Sequence, residues 1–278
     1  MHTFETPGPT TIVVRTGAGH VTVAAGDTDT TTVELTALNS AGEEAIAQAT
    51  VEQSRHTVVV HLPKHRSGLL RQGPSVGIDI VCPHGVSLDL KSDSADLRAT
   101  GQFQEASCAS GSGDIDVETV TDAARLRTGS GTITAGEVGQ ALSVSSGSGD
   151  INVEASRGSG SVKVGSGDIS IGELDGQTVT KTGSGDVEVG RLGGSLVTKT
   201  GSGSLTVRRA STGSVHAAGA SGDITIGVEQ GTAAWLDVST VSGRVSQELG
   251  ESAGPTDDQN RIEITAHTVS GNLRIHRA

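Results

Sequence analysis

Apolar and polar residues alternate along the middle of the chain in a pattern that repeats every 18 residues. The unit has the form Gly-Ser-Gly-x-aliphatic-x-aliphatic, and consecutive copies begin at Gly111, Gly129, Gly147, Gly165, Gly183 and Gly201. If the first Gly is position 1, positions 5 and 7 are apolar, as in Ile115 and Val117 or Ile169 and Ile171. This alternation predicts a β-strand with one buried face.

A second, weaker alternation at positions 14, 16 and 18 leads into the next copy, for example Leu142, Val144 and Ser146. Each 18-residue unit therefore holds two predicted strands and two turns. So short a unit cannot bury its own apolar face, and stacked neighbours must supply the rest of the core. We predict an all-β fold, a β-solenoid with about 18 residues and two parallel-stacking strands per coil, and ten or so coils would extend on the order of 50 Å.

The repeat continues less regularly on both sides of these copies. Looser copies start at Asp93, Ala220, Val241 and Val269, and another lies at Gly17. We expect residues 1–92 to form an irregular β segment with a short helix, the N-terminal cap and the first coils. Residues 93–278 are expected to form the regular solenoid, and the two parts to make one continuous domain.

Between Val23 and Asp93 the register is lost. The sequence there predicts strands and one short helix, with the strands at Thr31–Ala37, Thr57–Leu62 and Val76–Cys82. Ser40-Ala-Gly-Glu43 is a capping-box pattern, which predicts a helix over Glu43–Val51. We expect this helix to cover the open N-terminal end of the solenoid. Two polar loops are expected at Pro63–Ser75 and Gly250–Asn260.

The repeated turn residues have predicted structural roles. Position 3 is Gly, which suits a sharp turn with a left-handed or strained backbone. Position 2 is Ser in every copy from Ser94 to Ser270, and a column of hydroxyls there could satisfy turn backbone groups. The last coil, Val269–Ala278, shows no cap of its own, so we expect self-association through a solenoid end near Arg274–Ala278.

Composition and charge disfavour several classes of function and partner. The chain has 40 Gly, two Phe, one Trp and no Tyr, so aromatic sugar platforms are lacking and a carbohydrate-active solenoid enzyme is only a remote alternative. The net charge of −12 argues against nucleic acid as a partner and against binding to anionic membranes. The sequence has neither an 18-residue apolar run nor the pattern of a secretory signal, so a cytoplasmic location without membrane insertion is expected, and the cell surface is less favoured.

The Asp residues at position 4 are the most suggestive candidates for chemistry. They would stack one coil apart, and they are Asp96, Asp114, Asp150, Asp168, Asp186 and Asp223. Their mutual repulsion could be offset by Ca²⁺, which makes a Ca²⁺- or ligand-responsive repeat module the alternative function. The simpler interpretation is that each carboxylate accepts backbone N–H groups within an Asx-type turn. Lys163, Lys181 and Lys199, also 18 residues apart, would form a basic column that partly neutralises the acidic one.

The remaining candidates favour structure over catalysis. His56, His61, His65 and His84 have no metal-ligand spacing, and the repeated Gly-Ser-Gly is a turn motif, so we assign no catalytic, metal or cofactor-binding residues and no cofactor.

Cys82 and Cys108 fall on inward positions and are interpreted as small buried hydrophobes without a disulfide. The Thr rows at 178–182 and 198–200 are predicted to point inward, which disfavours an ice-binding function. Trp235 is interpreted as covering a solenoid edge, and an exposed partner-binding anchor is the alternative.

The serial Ser-Gly-Asp-Ile-x-Val units and the Thr180-Lys-Thr182-Gly-Ser-Gly-Asp186 lead-in resemble those of one bacterial β-strand-repeat family, domain of unknown function 4097, which is labelled "putative adhesin". The resemblance covers nearly the whole chain. It implies a non-enzymatic β-solenoid that acts as a scaffold or protein-interaction module, with an unknown protein partner. The family supplies no catalytic residues.

Overall fold

The computed structural model describes residues 1–63, 73–250 and 260–278. These residues form two compact units, Met1–Val138 and Gly139–Ala278. The predicted division at residues 92 and 93 stays a prediction, and the polar loops predicted at Pro63–Ser75 and Gly250–Asn260, with His65, lie mostly outside the described residues. No helix among the described residues combines the length and the apolar character that crossing a membrane requires.

The first unit contains most of the irregular elements. Its elements are β1 (His2–Glu5), β2 (Thr11–Thr16), β3 (Ala18–Gly26), β4 (Thr30–Ala37), α1 (Ser40–Ala47), β5 (Thr50–Ser54), β6 (Thr57–His61), β7 (Ser75–Pro83), β8 (Ser87–Ser92), β9 (Asp96–Phe103), β10 (Ala106–Ser110), β11 (Ile115–Val120), β12 (Ala123–Thr128) and β13 (Ile133–Val138). One sheet has the order β1-β4-β7-β3-β9-β11-β13, and the other has the order β5-β6-β2-β8-β10-β12.

The regular elements described in the second unit are all β-strands. They are β14 (Ala141–Ser146), β15 (Ile151–Ser156), β16 (Ser159–Val164), β17 (Ile169–Leu174), β18 (Gln177–Thr182), β19 (Val187–Leu192), β20 (Ser195–Thr200), β21 (Leu205–Ala210), β22 (Gly213–Ser221), β23 (Ile224–Val228), β24 (Ala233–Ser242), β25 (Val245–Glu248), β26 (Arg261–Ser270) and β27 (Leu273–Arg277). The sheet orders are β15-β17-β19-β21-β23-β27-β25 and β14-β16-β18-β20-β22-β26-β24.

The register of the strands confirms the predicted β-solenoid. Ile169 pairs in parallel with Val187, which in turn pairs with Leu205, so equivalent positions of successive repeats stack in columns. The other strand of each coil follows the same rule, as Thr180 pairs with Thr198. The inward columns are almost completely buried small aliphatic side chains, so the core needs few aromatic rings.

The N-terminal strands depart from the order of the chain. The coil of β2 and β3 lies between β6 and β7 on one side and β8 and β9 on the other. The predicted strands at Thr31–Ala37, Thr57–Leu62 and Val76–Cys82 are confirmed as β4, β6 and β7. The two sheets end here in β1 and β5, which pair antiparallel with β4 and β6.

The helix is present, but its bounds differ from the prediction. Its N-cap is Asn39, whose Oδ1 accepts a hydrogen bond from the Gly42 N–H at 2.8 Å, so the helix starts before the predicted Glu43. It ends at Ala47, and Val51 lies in β5, because the alternating Thr50–Ser54 stretch pairs with β6 instead. The helix contacts β4 and β7, while the antiparallel strands β1 and β5 end the sheets.

The C-terminal strands also depart from the order of the chain, and they overturn the expected location of the free end. The coil of β26 and β27 is inserted between β22–β23 and β24–β25. Residues 273–276 therefore pair on both sides and Arg277 pairs with Val228, so this segment is not an uncapped end. Strands β24 and β26 have the same alternation of apolar and polar residues, so either could pair with β22. In the structure β26 pairs with β22, and β24 and β25 are the last described strands of their sheets.

Candidate interaction surface

The stacked Asp residues form a ladder that joins consecutive coils. In the second unit, Asp150 Oδ1 accepts a hydrogen bond from the Asp168 N–H at 2.9 Å, and Asp168 Oδ1 accepts from the Asp186 N–H at 2.8 Å. Asp186 Oδ1 then accepts from the Ser204 N–H at 2.8 Å. The same contact is made by Asp96 with Asp114, by Asp114 with Thr132, by Asp223 with Asn272 and by Asn272 with Arg244.

This geometry gives the carboxylates a structural role and refines the predicted Asx-type turn, because each donor belongs to the neighbouring coil. One oxygen of each ladder carboxylate is already bound to an N–H group. Within the described ranges, no group of three or more His, Cys, Asp or Glu side chains is arranged to hold a metal ion. The observed contacts account for the Asp column, so nothing in the geometry favours the Ca²⁺-responsive alternative.

The hydroxyl at position 18 of the repeat accepts a hydrogen bond from the backbone N–H of the Gly at position 3 of the next turn. Thr128 Oγ1 accepts a hydrogen bond from the Gly131 N–H at 3.2 Å and donates to the Gly113 carbonyl at 3.0 Å. Ser110, Ser146 and Thr182 accept the equivalent N–H. The Ser residues at position 2 are exposed. The prediction that they satisfy the turn was therefore wrong, because their side chains point to solvent.

The position-3 glycines are required by the close approach of consecutive coils. A Cβ built on Gly185 would lie 1.8 Å from the Gly167 carbonyl oxygen, and one on Gly131 would lie 2.2 Å from that of Gly113. These glycines are not among the described residues with a left-handed φ, although Gly222 has φ 133°. The predicted left-handed turn therefore does not explain the regular copies, and steric contact does.

The basic column lies on the outer face of the second unit. Lys163 pairs with Lys181, and Lys181 pairs with Lys199, and all of these side chains are exposed. Among the described residues, no ion pair joins these lysines to the Asp ladder, so their neutralising role stays a prediction. His56, His61 and His84 are exposed in the first unit.

The two thiols are buried and free, as predicted. Burial raises the pKa of Cys82 to about 12 and that of Cys108 to about 12, and the nearby Asp89 carboxylate adds to the effect at Cys108. Cys108 pairs with Leu126 in an inward column. Both side chains therefore pack as small hydrophobes and are not nucleophiles.

The predicted Thr rows also point inward. Thr178, Thr180 and Thr198 are buried, and the hydroxyls of Thr180 and Thr198 are 2.8 Å apart. These side chains cannot present an ordered row to solvent, which removes the basis for an ice-binding face.

The last coil carries a concentration of exposed apolar side chains. Trp235 is 60% exposed, Val241 is 83% exposed and Val245 is 40% exposed. Trp235 alternates with the inward Leu236 and pairs with the exposed Glu263, so its ring lies on the outer face. The interpretation that Trp235 covers an edge was therefore wrong. We call β24 and β25 together the terminal coil.

Several side chains fix the terminal coil to its neighbours. Arg277 Nη1 donates hydrogen bonds to the carbonyls of Glu229 at 3.1 Å and Thr232 at 2.8 Å, and its Nε donates to that of Leu249 at 3.1 Å. Arg274 binds Glu248 at 3.1 Å, and this hydrogen bond lowers the pKa of the Glu248 carboxyl. The terminal coil is therefore held in place, and its apolar residues belong to an ordered surface.

Only part of this surface could be predicted from the amino-acid sequence. The alternation of inward and outward side chains along β24 would have placed Trp235 outside, since Leu236 and Val238 are inward. The exposure of Val241 and Val245 depends on which coil comes last, and Arg277 makes its contacts across strands distant in sequence. No local pattern carries that information.

Comparison with known proteins identifies one family. The model of the family described as Toastrack DUF4097 matches residues 10–277. None of the curated proteins matches the chain significantly.

Three solved structures match the chain at low sequence identity, and the first of them shows a similar fold. The crystal structure of a "putative lipid binding protein" from Parabacteroides distasonis ATCC 8503 is similar with a TM-score of 0.50 and 13% identity, covering 99% of this chain and 95% of that one. A "putative adhesin" from Bacteroides fragilis NCTC 9343 has a TM-score of 0.32 and 10% identity, covering 98% and 95%. A "putative cell adhesion protein" from Clostridium sporogenes ATCC 15579 has a TM-score of 0.20 and 10% identity, covering 100% and 98%.

Proposed function

The chain belongs to the Toastrack DUF4097 family, and from that premise we propose that it is a non-enzymatic β-solenoid scaffold whose terminal coil is a protein-interaction surface. The observation that carries this proposal is that Trp235, Val241 and Val245 are all exposed on the ordered strands of the terminal coil. Exposed apolar surface is one of the features that mark protein-interaction sites.

The chemistry of the repeat supports a scaffold. Its Asp, Ser, Thr and Gly residues are used to join consecutive coils, as the ladder from Asp150 to Ser204 shows. The buried thiols have raised pKa values, which disfavours a role as nucleophiles. A cytoplasmic location stays part of the proposal, and the terminal coil would act in the same way at a cell surface.

An aromatic side chain suits an interaction anchor. Trp buries a large area at a low cost in conformational entropy and is enriched among the residues that dominate binding energy. Because Trp235 is the only Trp of the chain, its fluorescence reports on this surface alone.

The proposal is tested by capture of partners from the native host with the full chain as bait, beside Trp235→Ser and the control Leu38→Ser. Leu38 is 48% exposed and lies in the first unit, so its substitution removes exposed apolar area elsewhere. We expect the bound partner to be lost with Trp235→Ser alone, and the purified partner to shift the Trp235 emission to shorter wavelength. Partners that bind the Trp235→Ser chain as well as the wild type, without any emission shift, would contradict the proposal.

A further inference from the structure

Among the strands that the structure describes, β24 forms a long edge of its sheet. It pairs with β26 on one side and is the last strand in its sheet order among the described residues. The strand is 10 residues long, and an edge of that length offers a row of backbone N–H and C=O groups for pairing.

This edge lacks the usual features that prevent pairing. Natural edge strands are kept short or carry Lys, Pro or bulges, but β24 contains none of these residue types and only one charged residue, Asp237. In the first unit, by contrast, the terminal strands β1 and β5 are 4 and 5 residues long. The edge of β24 is therefore suited to receive another strand.

The core side of β24 is also incomplete. Leu236, Val238 and Thr240 face inward but are only half-buried, because no described coil stacks on them. Trp235, Asp237, Ser239 and Val241 face outward. A strand added here must keep the same alternation, since otherwise its apolar residues would meet solvent.

Resting on the proposed function of the terminal coil, we propose that its partner is a second copy of this chain, whose β24 pairs antiparallel with the first about a two-fold axis at Val238. In this register Val238 faces Val238 of the second copy, and Leu236 faces Thr240. On the outer face, Trp235 lies opposite Val241, so the two exposed large apolar side chains of the strand cover each other.

Two neighbouring registers would keep the same inward and outward faces, but the Asp237 carboxylate makes both less favourable. A two-fold axis at Asp237 would place two carboxylates directly opposite each other, which is unfavourable. An axis at Ser239 would place Trp235 opposite Gly243 and the Asp237 carboxylate opposite Val241. With the axis at Val238, Asp237 instead lies opposite Ser239, whose hydroxyl can donate to the carboxylate. The strand is thus self-complementary, as a two-fold interface requires.

A cysteine introduced on the axis tests the register in the full chain. Val238→Cys places two thiols opposite each other across the two strands, at a distance compatible with a disulfide. Leu236→Cys is the matched control, because its opposite residue is Thr240. Cys82 and Cys108 are buried, so they do not compete. After oxidation we expect at least about tenfold more covalent dimer from Val238→Cys than from Leu236→Cys; equal yields would overturn the proposed register.

Sedimentation equilibrium tests the association without a new thiol. We expect the wild type to be a dimer within the range of about 1 to 100 μM and Val241→Lys to be a monomer. Val241 is so exposed that its substitution leaves the fold intact. Leu38→Lys is the control and should remain a dimer. A wild type that is strictly monomeric would overturn the second copy as partner but would leave the Trp235-dependent capture of another protein standing, so the two proposals fail separately.

Discussion

The carboxylate of Asp168 accepts a hydrogen bond from the backbone N–H of Asp186, with 2.8 Å between Oδ1 and N. Two residues of like charge are thus joined through the backbone of one and the side chain of the other. Repulsion between charges about 4.8 Å apart costs ~1 kcal/mol in water, while a hydrogen bond to a charged group contributes ~1.5–3 kcal/mol before solvent screening. A hydrogen bond of this size offsets the repulsion expected between the exposed carboxylates in water.

Substitutions of Asp168 separate the hydrogen bond from the charge. Asp168→Asn keeps the Oδ1 acceptor and should change the free energy of unfolding by less than about 0.5 kcal/mol, whereas Asp168→Ala should lower it by about 1 kcal/mol. Asn272, which occupies the equivalent position and accepts from the Arg244 N–H at 3.1 Å, is a natural precedent for the amide. Urea denaturation measures both values, and an Asn variant as unstable as the Ala variant would show that the charge matters more.

Two neighbouring threonines should respond in opposite ways to the same substitution. Thr178 Oγ1 is buried and, within the described residues, has no hydrogen-bond partner, whereas Thr180 Oγ1 lies 2.8 Å from that of Thr198. Thr178→Val should raise the free energy of unfolding by about 1 kcal/mol, and Thr180→Val should lower it by about 1–2 kcal/mol, because it leaves the Thr198 hydroxyl unpaired. Chemical denaturation gives both values. The reverse order would contradict the hydrogen-bond assignment.

The buried thiols predict a loss of stability in alkali. The pKa of each thiol is raised from 9.0 to about 12 in the folded chain, so between these values the unfolded chain releases protons that the folded chain retains. The stabilising effect is complete below pH 9 and is lost as the pH rises towards 12, with a slope of up to about 1.4 kcal/mol per pH unit for each thiol. The control is the Cys82→Ala, Cys108→Ala double variant, which lacks these groups. Parallel pH profiles of the two proteins between pH 8 and 11 would rule out the effect.

Arg277 and Arg274 should differ sharply in their importance for the terminal coil. Arg277→Ala removes the donors to the Glu229, Thr232 and Leu249 carbonyls, so we expect amide hydrogen exchange in β24 and β25 to accelerate. Arg274→Ala removes only an exposed pair with Glu248 and should leave exchange unchanged. Hydrogen exchange with mass spectrometry resolves these strands, and similar rates for both variants would refute the role given to Arg277.

The coil architecture could be predicted from the sequence because its cause is local and periodic. The alternation around Ile169 and Ile171 and the Gly-Ser-Gly turns recur at one interval, so every copy specifies the same strand and the same neighbour. The helix boundary was missed by a few residues, since Asn39 competes with Ser40 as the cap and the sequence pattern alone does not decide between them.

The order of the last coils could not be predicted, because it depends on long-range pairing. The segments Ala233–Ser242 and Arg261–Ser270 have the same alternation and the same length, yet the later one pairs with β22. Because the later segment pairs with β22, β24 becomes the last described strand of its sheet and carries the candidate surface. The unpredicted coil order also explains why the free end was wrongly expected near Arg274.

The role of the repeat in joining consecutive coils is tested most directly by the free energy of unfolding of Gly185→Ala measured beside that of Ser184→Ala. The added methyl at residue 185 would lie 1.8 Å from the Gly167 carbonyl oxygen, whereas Ser184 is exposed. We predict a loss of about 3 kcal/mol for Gly185→Ala and a change within about 0.5 kcal/mol for Ser184→Ala. Equal effects of the two substitutions would contradict the close contact between coils on which the structural role of the repeat depends.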